Sequence, residues 1–257
     1  VLFRSYMKYV GEIFKTKNCG NLLVTKYINY ENVYVRFIDT GYETVARIDH
    51  IRDGSVRDKY LPTVYGIGVL GDEIAKVNGE HTSEYKRWSS MLMRCYDDKF
   101  HSRFQTYVGC SVSEKFIFFP YFKEWCNKQI GFNAKDDKSK PFALDKDILV
   151  KGNKVYSEET CVFVPREINS LFVNCSKTRG DSAIGTCYSK ARKKYVSNIR
   201  KCGKLMHLGQ FDSEIEAFIV YKQAKESYIK EVAEKWKDQI DPRVYEALMN
   251  WTIEITD

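Results

Sequence analysis

Between Asn32 and Ile48 apolar and polar positions alternate: Val33, Val35 and Phe37 are separated by Tyr34, Arg36 and Ile38, and Asp39-Thr40-Gly41 turns the chain into a second extended run. A period of two buries one face of a strand. Leu22 to Tyr27 predicts an earlier strand, closed by the polar turn Asn29–Asn32. Short strands with glycine turns predict a small SH3-like β-barrel over residues 7–72, left through the glycine-punctuated "YLPTVYGIGVLG". After a hinge at Gly71–His81 the period lengthens. Tyr85, Trp88, Met91, Leu92 and Cys95 recur at helical spacing behind Thr82 or Ser83, either of which can cap the first turn. "SEKFIFFPYFKEWCNKQ" predicts a short strand and a second helix, with Pro120 near its first turn. "NAKDDKSK" is a surface loop.

"LDKDILVKGNKVYSEETCVFVPREINSLF" (144–172) then predicts strand, turn, strand and helix: Leu144–Leu149, a turn at Lys151-Gly152-Asn153, Cys161–Val164, and a helix opened by Pro165. This is a ββα unit. Beyond Ala183, "IGTCYS", "KKYVSNIRK" and "KLMHLGQF" predict three strands, the last two joined at Gly203. A long helix follows, with Ser213 and Glu216 as a capping box and Ala217, Tyr221, Ala224, Tyr228, Val232 and Trp236 along one face. Pro242 to Trp251 predicts a last short helix. The fold class expected is therefore α+β, in four segments: a barrel at 7–72, the ββα domain at 82–172, a three-stranded antiparallel sheet packed on one helix at 178–240, and the terminal helix at 241–257.

Composition narrows the function. No apolar run approaches the roughly 18 residues of a membrane span, and "VLFRSYMKYV" is too short an apolar run for a signal peptide. Met7 is read as the initiator, and residues 1–6 stand outside the fold. The eight cysteines and four histidines are scattered, with no spacing that suits zinc, so the thiols are expected reduced and mostly buried in a cytoplasmic protein. Net charge is +7, and its location matters more than its size. Lys177 to Lys204 holds nine basic residues against one acid, Asp181, so the remainder is close to neutral. Tyr188, Tyr195, Val196 and Ile199 interleave with these cations and make the segment a folded basic surface. Strand alternation places Arg192, Lys194, Asn198 and Arg200 on one face, opposite Tyr195, Ser197 and Ile199. Such a ribbon suits duplex DNA, with lysines such as Lys193 on phosphates and Arg and Asn on base edges.

"KKYVSNIRKCGKLMHLGQFDSEIEAFIVYKQAKE" resembles the APETALA/ethylene-response-factor DNA-binding domain in its phage-encoded form, through the "IR" strand end, the "GK…HLGxF" return and the "DSExEA" helix opening. That resemblance implies a sheet face on double-stranded DNA, carried by Asn198, Arg200 and His207 with Arg192, Lys193, Lys194 and Lys204 as basic flank. His207 stands where plant members carry Trp. Tyr85, Trp88, Met91, Arg94, Cys95 and Tyr96, followed by "LDKD" and a helix Asn, are similar to phage HNH-type homing endonucleases. This second resemblance implies Mg²⁺-dependent phosphodiester hydrolysis inside a bacterial host cell, with Asp145 and Asn169 on the metal, Asp147 as a further ligand, and Lys146 in the place of the base. The departure is Lys146 itself, because an ammonium competes with a metal and is a poor base at neutral pH. Two outcomes stay open: an endonuclease, or a catalytically degenerate DNA-binding regulator. The amino-terminal module is either a docking site for a protein partner or a folding cap.

Overall fold

The computed structural model describes residues 9–172 and 182–257, which form two compact units, Val1–Glu124 and Trp125–Asp257. Met7 lies outside the described residues, as do Lys177, Arg179 and Cys175. The fold is mixed α+β with antiparallel sheets.

In the first unit, β1 (Ile13–Lys15), β2 (Asn21–Tyr27), β3 (Val33–Phe37) and β4 (Glu43–Ala46) pair in chain order. The alternation in β3 does what its period requires: Val33, Val35 and Phe37 are buried while Tyr34 and Arg36 are exposed. With Leu22 and Val24 they pack on Ile48 and Ile51 of α1 (Ile48–Arg52). The expected barrel is corrected here. Among the described residues β1 and β4 are left as the two edges of an open meander, and the sheet is closed by a packed helix rather than by strand pairing. After the short β5 (Lys76–Val77) and β6 (Glu80–His81), α2 (Ser83–Tyr96) begins where Thr82 Oγ1 accepts the Tyr85 N–H at 3.2 Å. Its expected stripe is core: Trp88, Met91, Leu92 and Cys95 are buried, and the Trp88 indole donates to the Phe116 carbonyl at 2.7 Å. After α3 (Asp98–Arg103) and β7 (Ser111–Val112), residues 114–117 form a helical turn, α4, rather than extended chain, because Phe116 and Ile117 N–H both return to the Ser113 carbonyl. Helix α5 (Phe119–Lys128) follows, with Pro120 in its first turn as expected.

In the second unit, β8 (Ala143–Asp145) pairs antiparallel with β10 (Val162–Val164), Asp145 opposite Val162; β9 (Val155–Tyr156) lies between them in sequence. Helix α6 (Arg166–Leu171) starts after Pro165, so the ββα order is present. Its first strand is shorter than the predicted Leu144–Leu149. Asp145 Oδ1 accepts the N–H groups of Asp147 and Ile148, both at 2.9 Å, and a side chain that captures those donors removes them from the ladder.

Strands β11 (Thr186–Ser189), β12 (Lys194–Lys201) and β13 (Lys204–Phe211) form an antiparallel sheet in that order. It packs against α7 (Glu214–Trp236), through the buried Ala217, Phe218, Tyr221, Tyr228, Ile229 and Val232. Ser213 caps α7 by accepting the Ile215 N–H at 3.2 Å, but Glu216 is exposed. Glu214 instead reaches out of the helix, to the Ala183 N–H at 2.9 Å. Helix α8 (Pro242–Met249) ends the fold.

Candidate nucleic-acid interface

The two constellations singled out by sequence have opposite fates. In the acidic one, Asp145, Lys146, Asp147 and Asn153 are engaged in holding their own loop. Lys146 is buried, 7% exposed, and its Nζ donates to the Asn153 carbonyl at 2.9 Å and pairs with Asp147 Oδ2 at 3.1 Å. The same ammonium stands 5.8 Å from the centre of the Tyr156 ring. Asn153 returns the favour through Nδ2, which donates to the Lys146 and Val155 carbonyls, each at 2.7 Å. Strand alternation placed Asp147 on the face of Asp145, away from Lys146. Because β8 stops at Asp145, Asp147 turns onto the Lys146 ammonium instead.

Burial, and then the Asp147 charge, push the Asp145 carboxyl up to about 6, against the pull of its two backbone donors. Asn169 lies on the exposed side of α6, opposite the buried Ile168 and Leu171. Mg²⁺ wants several free oxygen donors in near-octahedral array. Here Asp145 Oδ1 already serves two N–H groups and Asp147 is held by a lysine, and among the described residues no three His, Cys, Asp or Glu side chains converge on a metal position. One oxygen of each expected carboxylate ligand is therefore already engaged, and the Lys146 ammonium is committed to its loop.

Sequence reasoning passed over the residue that bolts this unit together. Glu167, in the first turn of α6, accepts the Lys235 Nζ at 2.6 Å and the Trp236 indole N–H at 2.9 Å, both from the last turn of α7. Lys235 also reaches Asp137 at 2.7 Å, and the two carboxylates hold its ammonium well above the ordinary lysine range. No local pattern announces a bond spanning 69 residues.

The basic sheet is arranged by β12. Ser197 and Ile199 are buried toward α7, and Lys201 reaches Glu231 of that helix at 3.2 Å, so the odd positions face inward. Val196, Asn198 and Arg200 face outward. Opposite them on β13 lie Gln210, His207 and Leu205. A β-bulge makes this possible: Ser197 pairs with Gly209 but Asn198 pairs with His207, leaving Leu208 as the extra residue. Uninterrupted alternation from Gly209 would turn His207 toward α7. Gly209 takes φ +150°, where a Cβ would stand 2.9 Å from the Phe211 ring.

Of the expected contact residues, Asn198, Arg200 and His207 share the outward face, while Lys204 pairs with the inward-facing Lys201 at the hairpin end. Arg192 and Lys193 are not on the strand but in the turn between β11 and β12, where Lys193 has φ 51°. Lys194 is paired with Asp212. Lys190, Arg192, Lys193 and Lys204 are exposed and make no side-chain bond to the described residues. Arg200 donates to the Gly203 carbonyl at 2.9 Å, which folds its guanidinium over the hairpin. Asn198 Oδ1 and His207 Nδ1 are 3.2 Å apart across the strands. Lys190, Leu205 and Gln210 are exposed residues that the sequence did not single out for contact; Lys190 alone had a signal, as part of the basic run. No family model, curated protein or solved structure matches this chain.

Proposed function

We propose that this protein binds double-stranded DNA through the outward face of the β11–β13 sheet and acts by binding rather than by cutting. One observation carries the reading: a two-stranded ribbon presents Asn198, His207, Arg200 and Gln210 outward, with exposed cations in the turn before β12 and at the start of β13. A β-ribbon fits the major groove, where side-chain amides and guanidinium groups meet base edges. Lys190, Arg192 and Lys193 at one turn and Lys204 at the other are placed to neutralise flanking phosphates. Resemblance to the APETALA/ethylene-response-factor domain supports the same face. The ββα segment then serves as a scaffold on which α7 is seated through Glu167.

A gel-shift salt series on duplex DNA tests this, with a plasmid incubated beside it in Mg²⁺ or Mn²⁺ and in EDTA. Retention that weakens steeply with salt is expected, with identical plasmid profiles in metal and chelator. Lys193→Ala should weaken all sequences alike and lower the salt slope by about one, whereas Arg200→Ala should cost about 1–3 kcal/mol at the preferred site only. Absence of retention in dilute buffer would refute DNA binding. Metal-dependent nicking abolished by Asp145→Ala would restore the endonuclease reading.

A further inference from the structure

We infer that Asn198 and His207 act as a single base-reading unit that selects adenine in the major groove, an inference that rests on the DNA-binding reading above. The two side chains are cross-strand neighbours at the centre of the outward face, with Nδ1 of His207 3.2 Å from Oδ1 of Asn198. An amide oxygen only accepts, so Nδ1 carries the proton of the neutral imidazole and Nε2 keeps its lone pair. One lone pair of Asn198 Oδ1 is thereby engaged, so the asparagine meets a base as part of the pair rather than alone. What remains outward is one donor, Asn198 Nδ2, beside one acceptor, His207 Nε2. Rotating the amide by half a turn exchanges the two roles and leaves the pair with one of each.

Adenine carries the complement on a single base: N7 accepts and N6–H₂ donates. Guanine places O6, an acceptor, where adenine has N6, and two lone pairs would then face each other. Leu205, two residues from His207 on the same face and 65% exposed, adds an apolar group of the kind that meets a thymine methyl. The bulge at Leu208 is the device that builds the unit, since it alone turns His207 to the side of Asn198.

The test is selection of the full-length chain on randomised duplexes in dilute buffer, for wild type, Asn198→Ala and His207→Ala, followed by affinity measurements on the enriched site. Wild type is expected to enrich an adenine that each variant ceases to require, both at the same single position. Replacing that adenine by guanine or by 7-deazaadenine should weaken wild type by roughly tenfold or more and the variants hardly at all. An unchanged salt slope and urea midpoint in the variants show that the fold and the phosphate contacts persist. Variants that keep the adenine preference, or lose preference at two different positions, overturn the paired reader while DNA binding stands. Failure of wild type to retain any duplex overturns both.

Discussion

Replacing Lys146 by Met separates a structural lysine from a catalytic one. The thioether keeps the aliphatic stem in its pocket and deletes the ammonium that holds the Asn153 carbonyl at 2.9 Å and Asp147 at 3.1 Å. A charge-assisted bond to a carbonyl contributes about 1.5–3 kcal/mol. The pair with Asp147, whose side chain is 46% exposed, adds no more than about 0.5 kcal/mol after solvent screening, and the Tyr156 ring at 5.8 Å adds about 0.5–1 kcal/mol. Against these stands the desolvation of a buried ammonium, which the substitution relieves. A net loss of about 1–2 kcal/mol follows. Urea unfolding monitored by tryptophan fluorescence reads this as a lower midpoint at unchanged slope, and a thermal scan as a fall of roughly 2–8 °C. DNA retention should be unaltered. A variant as stable as wild type would remove the structural account of Lys146, and loss of a metal-dependent cutting activity at wild-type stability would return the lysine to catalysis.

Asp145 predicts a pH effect of definite sign. Its carboxyl is raised to about 6, chiefly by burial and then by Asp147, so the folded state holds a proton that the unfolded chain releases near 3.9. Its stabilising contribution is complete below about pH 4 and is lost as pH rises through about 6, an effect of up to about 3 kcal/mol. Asp145→Asn keeps an acceptor for the Asp147 and Ile148 N–H groups. It should therefore be more stable than wild type at pH 7.5 but not at pH 4, and urea midpoints showing no such crossover would contradict the assigned burial. Glu167→Ala should destabilise by about 2 kcal/mol, because it strands the indole N–H of the buried Trp236; Glu167→Gln, which keeps an acceptor, should recover most of that loss. Equal midpoints for the two variants would show that the indole bond contributes nothing. Gly209→Ala should cost about 1–3 kcal/mol through the strained φ of +150° and the Phe211 ring, and unchanged urea unfolding would argue against the bulge geometry.

Periodicity located the longer elements, because burial of one face imposes a repeat of two on strands and 3.6 on helices. Val33, Val35 and Phe37 declared β3, the stripe from Trp88 to Cys95 declared α2, and the basic three-strand segment with its long helix was readable from alternation, Gly203 and Ser213. Charge clustering likewise pointed to the basic surface. What the linear pattern could not carry was every feature that depends on which distant groups meet. Asp145, Lys146 and Asp147 are adjacent letters that invite a metal site, yet the loop closure at Asn153 spends the lysine and the Asp147 carboxylate on each other. Glu167 looks like an ordinary acidic helix start until α7 brings Lys235 and Trp236 against it. His207 sits on the wrong parity for the outer face, and a one-residue bulge in β13 reverses it. Local repeats record how a segment divides its own surface between core and water; the partner of a buried charge, and the side to which a shifted strand turns, are set by chain segments far away in sequence.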